Sequence, residues 1–272
     1  MGSEKRSAGF YVLAAFFGLF VLFLYGPLSA VFILSFQGPQ GGLTFPLNGV
    51  SLRWFQNLFE RQAVGDFGAS FGRSLMLGLM VMTATVVVSL LAGLAFRRKF
   101  VGASPLFYLT VASLVVPSII VSLGIGVLFQ QIGWRPAWFS SAYGAHLTWT
   151  LPFGVLIMFA VFNRFSPSYE EAARDLGASS WQTFRHVVLP MIAPSLIGVG
   201  LFGFSLSYDE FARTLMTSGS SNTLPLEIYG MTTNVTTPVL YALGTVTTLF
   251  SFLIILVTLG IILLMGRRRT ST

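Results

Sequence analysis

The sequence predicts an all-α integral membrane protein, and two observations support that fold class. Of the 272 residues, 54% are hydrophobic and only 9% are charged, whereas soluble domains carry about 25% charged residues. The apolar residues also fall into runs of about 20 residues, the length of a helix that crosses a bilayer. We therefore expect a single transmembrane domain over residues 1–272, because the bilayer supplies the apolar surroundings that a soluble core would supply.

Six apolar runs are long enough to cross the membrane as helices. Pro117 and Pro152 lie inside the third and fourth runs, where proline removes a backbone donor and is expected to kink or open the helix. Small residues spaced four apart predict close helix approach. Those pairs are Ser89 with Gly93, Ser122 with Gly126 and Gly203 with Ser207. The six runs cover residues 10–36, 74–96, 105–129, 144–163, 192–216 and 241–265.

The basic residues predict the orientation of the chain. With six spans, clusters at Lys5 and Arg6, at Arg97, Arg98 and Lys99, and at Arg267, Arg268 and Arg269 fall on one side of the membrane. Arg164, Arg174 and Arg185 join them, whereas the opposite loops hold only Arg53, Arg61, Arg73 and Arg135. Positive residues concentrate on the cytoplasmic side, so we expect both termini in the cytoplasm.

The loop that follows the first span has two parts. Residues 37–50 are rich in Gly and Pro and are expected to be irregular. Residues 51–60 carry apolar side chains at helical spacing, which predicts a short helix that lies at the membrane interface and packs on the outer helix ends. These side chains are Leu52, Phe55, Leu58 and Phe59.

The composition argues against several kinds of active site. The chain has no cysteine, so thiolate and disulfide chemistry is excluded. His146 and His186 are too few and too far apart for a metal site. We expect no catalytic residue, no metal and no cofactor on this chain, and we interpret His146 as a hydrogen-bonding residue at a helix end.

Residues 166–190 are polar and lie between the fourth and fifth spans, on the expected cytoplasmic side. Their pattern predicts two short helices joined by a hinge. The first helix begins either at a capping box of Ser168 and Glu171 or at Ser166 followed by Pro167. It ends at Gly177, because a residue just past a helix often needs the left-handed conformation that glycine adopts freely.

A second capping box, Ser179 with Gln182, predicts the start of the second helix. We expect Pro190 to push Leu189 out of helical geometry before the chain returns to the bilayer. The apolar stripe of this helix consists of Trp181, Phe184, Val187 and Val188.

The first helix of this segment offers a small-residue face with a charged rim. A face of this kind fits the groove of a partner protein, but it also fits an amphipathic loop that packs on its own bundle, and the local pattern leaves both readings open. The small residues are Ala172 and Ala173, and the rim is formed by Glu170, Glu171, Arg174 and Asp175.

The segment resembles the EAA loop of ATP-binding-cassette importer permeases, whose pattern is EAA, then G, then I-x-LP. The matching residues are Glu171, Ala172, Ala173, Gly177, Leu189 and Pro190, with Val187 where the pattern prefers Ile. The stretches SLRWFQNLFE, LSYDEF and TLPLEIYGM, and His146 with Pro152, are similar to the spermidine and putrescine permease group. We call residues 166–190 the coupling loop, since the EAA loop of the family docks on a cytoplasmic ATPase subunit.

The resemblance implies a fold, a location and a set of partners. It implies the type I importer permease fold in a bacterial inner membrane, and a permease subunit that forms half of the path for a small solute. The implied partners are a second, non-identical permease, an ATPase dimer and an extracytoplasmic solute-binding protein. No nucleic acid is expected as a partner.

The energy for transport is expected to come from the ATPase subunits. The sequence lacks the glycine-rich loop with Gly-Lys-Ser or Gly-Lys-Thr that cradles phosphates, so ATP and Mg²⁺ are assigned to the partner. ATPase closure would move the coupling loop as a stiff lever and tip the bundle between inward-open and outward-open states. Gly177 is the expected hinge, with stops at Pro190 and Pro194.

The fifth predicted span carries charges at membrane depth, which mark candidate functional residues. Tyr208, Asp209 and Glu210 are candidates for lining the solute path or its outer gate. Carboxylates beside an aromatic ring suit a cationic solute such as a polyamine. Alternatively, Asp209 neutralises Arg213 four residues along the same helix.

Two further residues near the outer side receive a prediction. Glu227 is a candidate contact for the solute-binding protein. Trp149, near the outer end of the fourth span, is interpreted as an anchor at the membrane interface.

Other functions remain open at this point. The same machinery is compatible with an opine, an aminophosphonate or an amino-acid-like solute. A secondary transporter with ion-coupling carboxylates is a second alternative, but it leaves the coupling loop unexplained. An intramembrane enzyme is disfavoured, because no nucleophile or zinc motif is present.

Overall fold

The structure is a computed structural model that describes residues 7–60, 65–98, 100–234 and 237–270. In these ranges the regular secondary structure is helical, as predicted. The orientation argument also used Lys5, Arg6, Arg61 and Lys99, which lie outside the described residues, and the cytoplasmic position of the termini stays a prediction. The α-helices are α1 (Ala8–Leu34), α2 (Arg53–Asn57), α3 (Phe67–Phe96), α4 (Ala103–Ala112), α5 (Ser118–Gln131), α6 (Tyr143–Asn163), α7 (Ser168–Asp175), α8 (Ser180–Thr183), α9 (Leu189–Tyr208), α10 (Leu224–Asn234) and α11 (Val239–Thr270).

Five helical stretches of the described chain are long and apolar enough to cross a membrane. They are Ala8–Leu34, Phe67–Phe96, Trp138–Asn163, Ser180–Tyr208 and Val239–Val257. The third predicted span, over residues 105–129, is divided into α4 and α5, which have 10 and 14 residues. The break includes Pro117, whose ψ of 132° is extended, so proline opens this span as expected and the count of six spanning helices is not confirmed. Pro152, in contrast, lies inside a continuous α6.

The connection between α8 and α9 differs from the prediction. Leu189 was expected to leave helical geometry, but its φ of −57° and ψ of −47° are helical, and the chain is helical from Ser180 to Tyr208. The segment Phe184–Val188 is π-helical. Its wider turn displaces the carbonyl that the ring of Pro190 would meet in a regular α-helix, and Pro194 also lies within the helix. The predicted stops at these two prolines are therefore wrong.

The described residues form two compact units, the first of which comprises those between 7 and 65 and between 230 and 256. In this unit α1 exposes apolar side chains around its whole circumference, so it requires cover from lipid or protein. Residues 37–50 are irregular, as predicted, and are organised by the buried side chain of Gln37. Its Oε1 accepts a hydrogen bond from the backbone N–H of Asn48 at 2.7 Å, and its carbonyl accepts one from Nε1 of Trp54 at 2.6 Å.

The second unit comprises the described residues between 66 and 229 and those from 257 onward. Its centre is a bundle of α3, α6 and α9, each of which packs on the other two. A buried hydrogen bond joins Thr85 on α3 to Thr150 on α6 at 2.8 Å. The main apolar cluster contains Met158, Phe162, Val188, Ile192, Leu196 and Val199. That the whole chain is one domain stays a prediction.

Close helix approach is confirmed at Gly93, in one of the three predicted pairs. A Cβ added to Gly93 of α3 would lie 2.8 Å from the Phe162 ring and 2.9 Å from Cβ of Met158 on α6. Such distances are shorter than carbon atoms tolerate, so glycine is required for α3 and α6 to pack at this spacing. α3 and α6 are therefore held close together next to the coupling loop.

Candidate functional site

The first helix of the coupling loop is α7, and it begins at Ser168, one residue after the start at Pro167 that the sequence offered as an alternative. Pro167 occupies the position before Ser168, and the predicted capping box of Ser168 with Glu171 is not formed. The hydroxyl of Ser168 lies 2.7 Å from that of Ser166 instead. Proline fits this position because its missing N–H is one that the first turn of a helix leaves without an acceptor.

Gly177 ends α7 in the predicted way. Its φ of +84° is left-handed, and two backbone hydrogen bonds close the helix end. The N–H of Gly177 donates to the carbonyl of Arg174 at 2.8 Å, and the N–H of Ala178 donates to that of Ala173 at 3.0 Å. This pattern is a Schellman motif, which turns the chain sharply with little freedom.

The second half of the coupling loop starts at the predicted capping box. The Ser179 hydroxyl accepts from the N–H of Gln182 at 3.3 Å, and the Gln182 side chain accepts from the N–H of Ser179 at 2.8 Å. Trp181 stacks on Phe184 with ring centroids 5.7 Å apart, and Val188 is buried in the bundle. The coupling loop is thus fixed to the bundle at its C-terminal side.

One part of the charged rim of α7 faces the helical bundle, which we call the inward part, and the other faces away from the bundle, which we call the outward part. Glu171, Ala172, Arg174 and Asp175 are exposed, and no residue of α7 is buried. The reading in which the loop packs entirely on its own bundle is therefore disfavoured. Of the remaining positions that match the EAA pattern, Ala173 and Leu189 are half-buried, and Gly177 and Pro190 are exposed.

Glu170 forms the inward part of the rim, through a contact that sequence reasoning missed. Arg97, the residue that caps the C-terminus of α3, donates from Nη1 and Nη2 to the two carboxylate oxygens at 2.8 and 2.9 Å. The pair is partly buried, with 23% and 16% of the side chains exposed. Hydrogen bonding by Arg97 holds the pKa of Glu170 below its usual range.

The Arg97–Glu170 pair lies at the edge of a cleft of about 570 Å³ between the end of α3 and the coupling loop. Its lining includes Leu94, Arg98, Arg174, Thr183 and Phe184. The Arg97–Glu170 pair therefore joins α7 to the end of α3 within the lining of this cleft.

The candidates for the solute path are arranged differently from the prediction. α9 ends at Tyr208, and Asp209 caps the helix, so the predicted helix through residue 216 is wrong. Asp209 and Arg213 do not share a helix face. Arg213 is instead held by Glu210, whose Oε1 accepts from the backbone N–H of Arg213 at 2.9 Å and whose Oε2 lies 3.7 Å from Nη1.

Arg213 is completely buried in a polar cluster that the sequence did not predict. Its Nη1 donates to the hydroxyl of Ser118 at 2.6 Å, and its Nε donates to that of Thr148 at 3.3 Å. The guanidinium carbon lies 4.5 Å from the centroid of the Trp149 ring, so Trp149 provides a cation–π contact in place of the expected interface anchor. We call Arg213, Glu210, Ser118, Thr148 and Trp149 the arginine cluster.

His146 joins the arginine cluster to the end of α9, in the hydrogen-bonding role that was predicted. Its Nε2 lies 2.9 Å from the hydroxyl of Thr214 and its Nδ1 lies 2.8 Å from that of Ser207. The Thr214 hydroxyl donates to the carbonyl of Glu210, so its oxygen accepts from Nε2–H and Nδ1 accepts from Ser207. The His146 ring thereby connects α6 with α9 and the following loop.

Tyr208, Asp209 and Glu210 have three different surroundings. Tyr208 is buried and its ring stacks on Phe204 with centroids 5.7 Å apart. Asp209 is exposed, whereas Glu210 is half-buried against Arg213. Of the two carboxylates, Asp209 is thus the one that is exposed.

Glu227 does not lie where a solute-binding protein would reach it. It is buried, its Oε1 accepts from the backbone N–H of Asp66 at 2.7 Å, and its Oε2 accepts from the side-chain amide of Asn222 at 2.9 Å. Glu227 therefore connects the start of α3 to the loop before α10, and the predicted contact is wrong.

These features define a class of protein: the chain is a permease subunit of an ATP-binding-cassette importer, a helical protein with several membrane-spanning stretches. More particularly, it belongs to the family of binding-protein-dependent transport system inner membrane components, whose sequence profile matches residues 86–271, more than half of the chain.

Two curated relatives are similar over most of the chain. The spermidine/putrescine transport system permease protein PotC of Haemophilus influenzae is 27% identical over 248 residues, which cover 90% of this chain and 94% of the relative. The putrescine transport system permease protein PotI of Escherichia coli is 29% identical over 231 residues, which cover 82% and 80%. The predicted resemblance to polyamine permeases is thereby confirmed.

Solved structures share the fold at low sequence identity. A bacterial ABC transporter that imports the acidic polysaccharide alginate superposes with a TM-score of 0.71 at 16% identity, over 96% of this chain and 99% of that chain. The methionine transporter MetNI superposes with a TM-score of 0.57 at 16% identity, over 73% and 95%. The importer permease fold is therefore shared by transporters of different solutes.

Proposed function

We propose that this chain couples a cytoplasmic ATPase to solute import across a bacterial inner membrane, through the coupling loop. The observation that carries the proposal is the geometry of α7. It exposes Glu171, Ala172 and Asp175 on one side, while Glu170 on the other side is held by Arg97. A helix that is fixed to its own bundle and open outward is suited to transmit the motion of a partner.

The proposed division of labour follows from the chemistry that the sequence lacks. Without a phosphate-binding loop, the chain relies on ATP and Mg²⁺ bound to a dimer of partner ATPase subunits. A second permease, of different sequence, completes the solute path. An extracytoplasmic binding protein delivers the solute, as supported by the alginate transporter whose structure includes its periplasmic protein.

We propose a polyamine as the solute, on the basis of the polyamine permeases among the relatives. The exposed carboxylate of Asp209 supports a path for a cation. Glu210 does not add to this support, because its charge is compensated by Arg213 and it contributes little negative potential. Opines, aminophosphonates and amino-acid-like solutes remain the alternatives.

The proposal is tested with the complex purified from cells that express this chain together with the neighbouring transport genes. The ATPase subunit is expected to copurify. Glu171→Gln should weaken the association of the ATPase subunit at least about tenfold. The substitution removes the charge of Glu171, so a basic residue of the ATPase subunit that pairs with it would lose its partner. Glu60→Gln, which alters another exposed glutamate, should have no effect.

The solute is tested with the same complex in vesicles, with labelled spermidine and putrescine as probes. ATP-dependent uptake supports the polyamine assignment. Tight binding of a neutral or anionic solute by the associated binding protein would overturn it. Uptake in vesicles that contain this chain and no ATPase would instead identify an ion-coupled secondary transporter.

A further inference from the structure

Glu170 and Glu171 are neighbours on α7 but have opposite surroundings. Glu171 is exposed, whereas both carboxylate oxygens of Glu170 accept hydrogen bonds from Arg97. Neighbouring residues on a helix point about 100° apart, so one short helix presents one carboxylate outward and one inward. The inward carboxylate is not part of the matched EAA triplet.

Arg97 is fixed in place by more than the carboxylate. Its guanidinium carbon lies 5.2 Å from the centroid of the Phe162 ring and 5.4 Å from that of Phe165. Both rings belong to the end of α6 and the residues just after it. Arginine is suited to this site because its planar group forms a bidentate pair with a carboxylate while stacking on aromatic faces.

The ion pair adds a connection that the chain itself does not provide. Along the chain, α7 is linked to α6 through residues 164–167 and to α8 through residues 176–179. Arg97 links it directly to α3, 73 residues away in sequence. Since α3 packs on both α6 and α9, the ion pair gives α7 a direct connection to the one helix of the bundle that lies far from it in the sequence.

The end of α3 and the coupling loop line a common cleft of about 570 Å³, and Leu94 on α3 belongs to the same apolar cluster as Phe184 and Val188 in the coupling loop. The Arg97–Glu170 pair lies in the lining of this cleft and joins α3 to α7 with two short hydrogen bonds. Its partial exposure means that solvent screens the attraction, which favours a role in positioning over one in overall stability.

We infer that Arg97 and Glu170 are positioning residues that clamp α7 to the end of α3, so that movement of the docked ATPase is delivered to the transmembrane bundle. The inference rests on the proposed coupling function. It assigns Glu171 to the partner-facing side and Glu170 to the internal linkage. Loss of the clamp leaves docking intact and uncouples hydrolysis from transport.

The test measures three quantities on the reconstituted complex: copurification of the ATPase, ATP hydrolysis and uptake of labelled spermidine. Glu170→Gln and Arg97→Ala should retain the ATPase and continue to hydrolyse ATP. Uptake per ATP hydrolysed should fall at least about fivefold, the lower range of coupling between distant sites. Arg97→Lys, which retains the charge and loses the bidentate geometry, should lie between these variants and the unaltered chain.

A charge exchange and a neighbouring control separate the pair from its surroundings. Arg97→Glu and Glu170→Arg should each uncouple transport, and the double variant should recover uptake per ATP at least about threefold above either single variant. Arg98→Ala is the matched control, since Arg98 is exposed and forms no ion pair in the described part of the chain. It should leave coupling unchanged.

The outcomes distinguish this inference from the proposed function. If the ATPase fails to associate even with the unaltered chain, the proposed function fails. If it associates and Glu170→Gln transports with unchanged uptake per ATP, the clamp is refuted alone. Loss of ATPase association in Glu170→Gln would also refute the clamp, because it would place Glu170 on the partner-facing side.

Discussion

The helical stretch Ser180–Tyr208 has a polar region at each end, and the two regions treat their charges in opposite ways. At one end the coupling loop leaves Glu171, Arg174 and Asp175 exposed. At the other end the arginine cluster buries Arg213 completely and surrounds it with hydroxyl groups, a carboxylate and an indole ring.

The difference shows that polar residues in an apolar sequence can serve two roles: some pair with one another inside the protein, and others remain exposed for a partner. A buried charge requires compensation, because leaving water costs more than a single contact returns. The arginine cluster supplies partners for Nε and Nη1 of Arg213 within the chain, whereas Nη2 has no hydrogen-bond partner among the described residues. The exposed charges of α7 have no such requirement, and they remain available to a partner.

The largest expected effect comes from removing the buried charge. Arg213→Ala leaves Glu210 half-buried without its partner and should lower the free energy of unfolding by about 3–5 kcal/mol. The change is measured as reduced thermal stability in detergent and reduced abundance in the membrane. Arg135→Ala is the matched control, because Arg135 is exposed. Equal stability of the two variants would contradict the structural role of the arginine cluster.

An intermediate effect is expected at Gly177, where function should change more than stability. Gly177→Val forces a branched side chain into a left-handed conformation, at a cost of about 1–3 kcal/mol that is confined to an exposed loop. We expect normal abundance in the membrane and loss of uptake in reconstituted vesicles. Gly177→Asn should retain part of the uptake, since asparagine tolerates this conformation. Normal uptake by the valine variant would refute the lever function of the coupling loop.

The smallest effect is expected at Ser179, and it tests whether the coupling loop and the bundle respond separately to a substitution. Ser179→Ala removes the capping hydroxyl of α8 and should destabilise that helix by about 1 kcal/mol. Uptake should decline modestly while the thermal midpoint of the bundle is unchanged. Ser180→Ala, which removes a hydroxyl that does not cap the helix, serves as the control. A shift of the midpoint in Ser179→Ala would mean that the coupling loop and the bundle unfold together.

The local features of the coupling loop were predictable because they depend on neighbours in the sequence. The left-handed Gly177 and the capping box of Ser179 with Gln182 each involve a few consecutive residues. The start of α7 was predicted only as one of two alternatives, since Ser168 and Pro167 compete at the same position. The continuous helix through Pro190 was missed, because the π-helical turn that accommodates proline has no simple sequence signal.

The candidate sites were predictable only in part. The sequence identifies Asp209, Glu210 and Arg213 as unusual charges. The predicted pairing of Asp209 with Arg213 requires the helix to continue through residue 213, but the helix ends at Tyr208. Arg97 was interpreted as a topology signal. Nothing near either residue in the sequence indicates that Arg97 meets Glu170.

The sequence by itself determined the apolar helices, the family and the end of α7 at Gly177, since hydrophobic runs, motif spacing and backbone preference act within a few residues. Only the tertiary structure decided that Arg97 holds Glu170 across 73 residues and that Arg213 reaches Ser118 across 95. Such contacts depend on how α3, α5, α6 and α9 pack, because a charged side chain binds whichever partner the packed helices bring within reach.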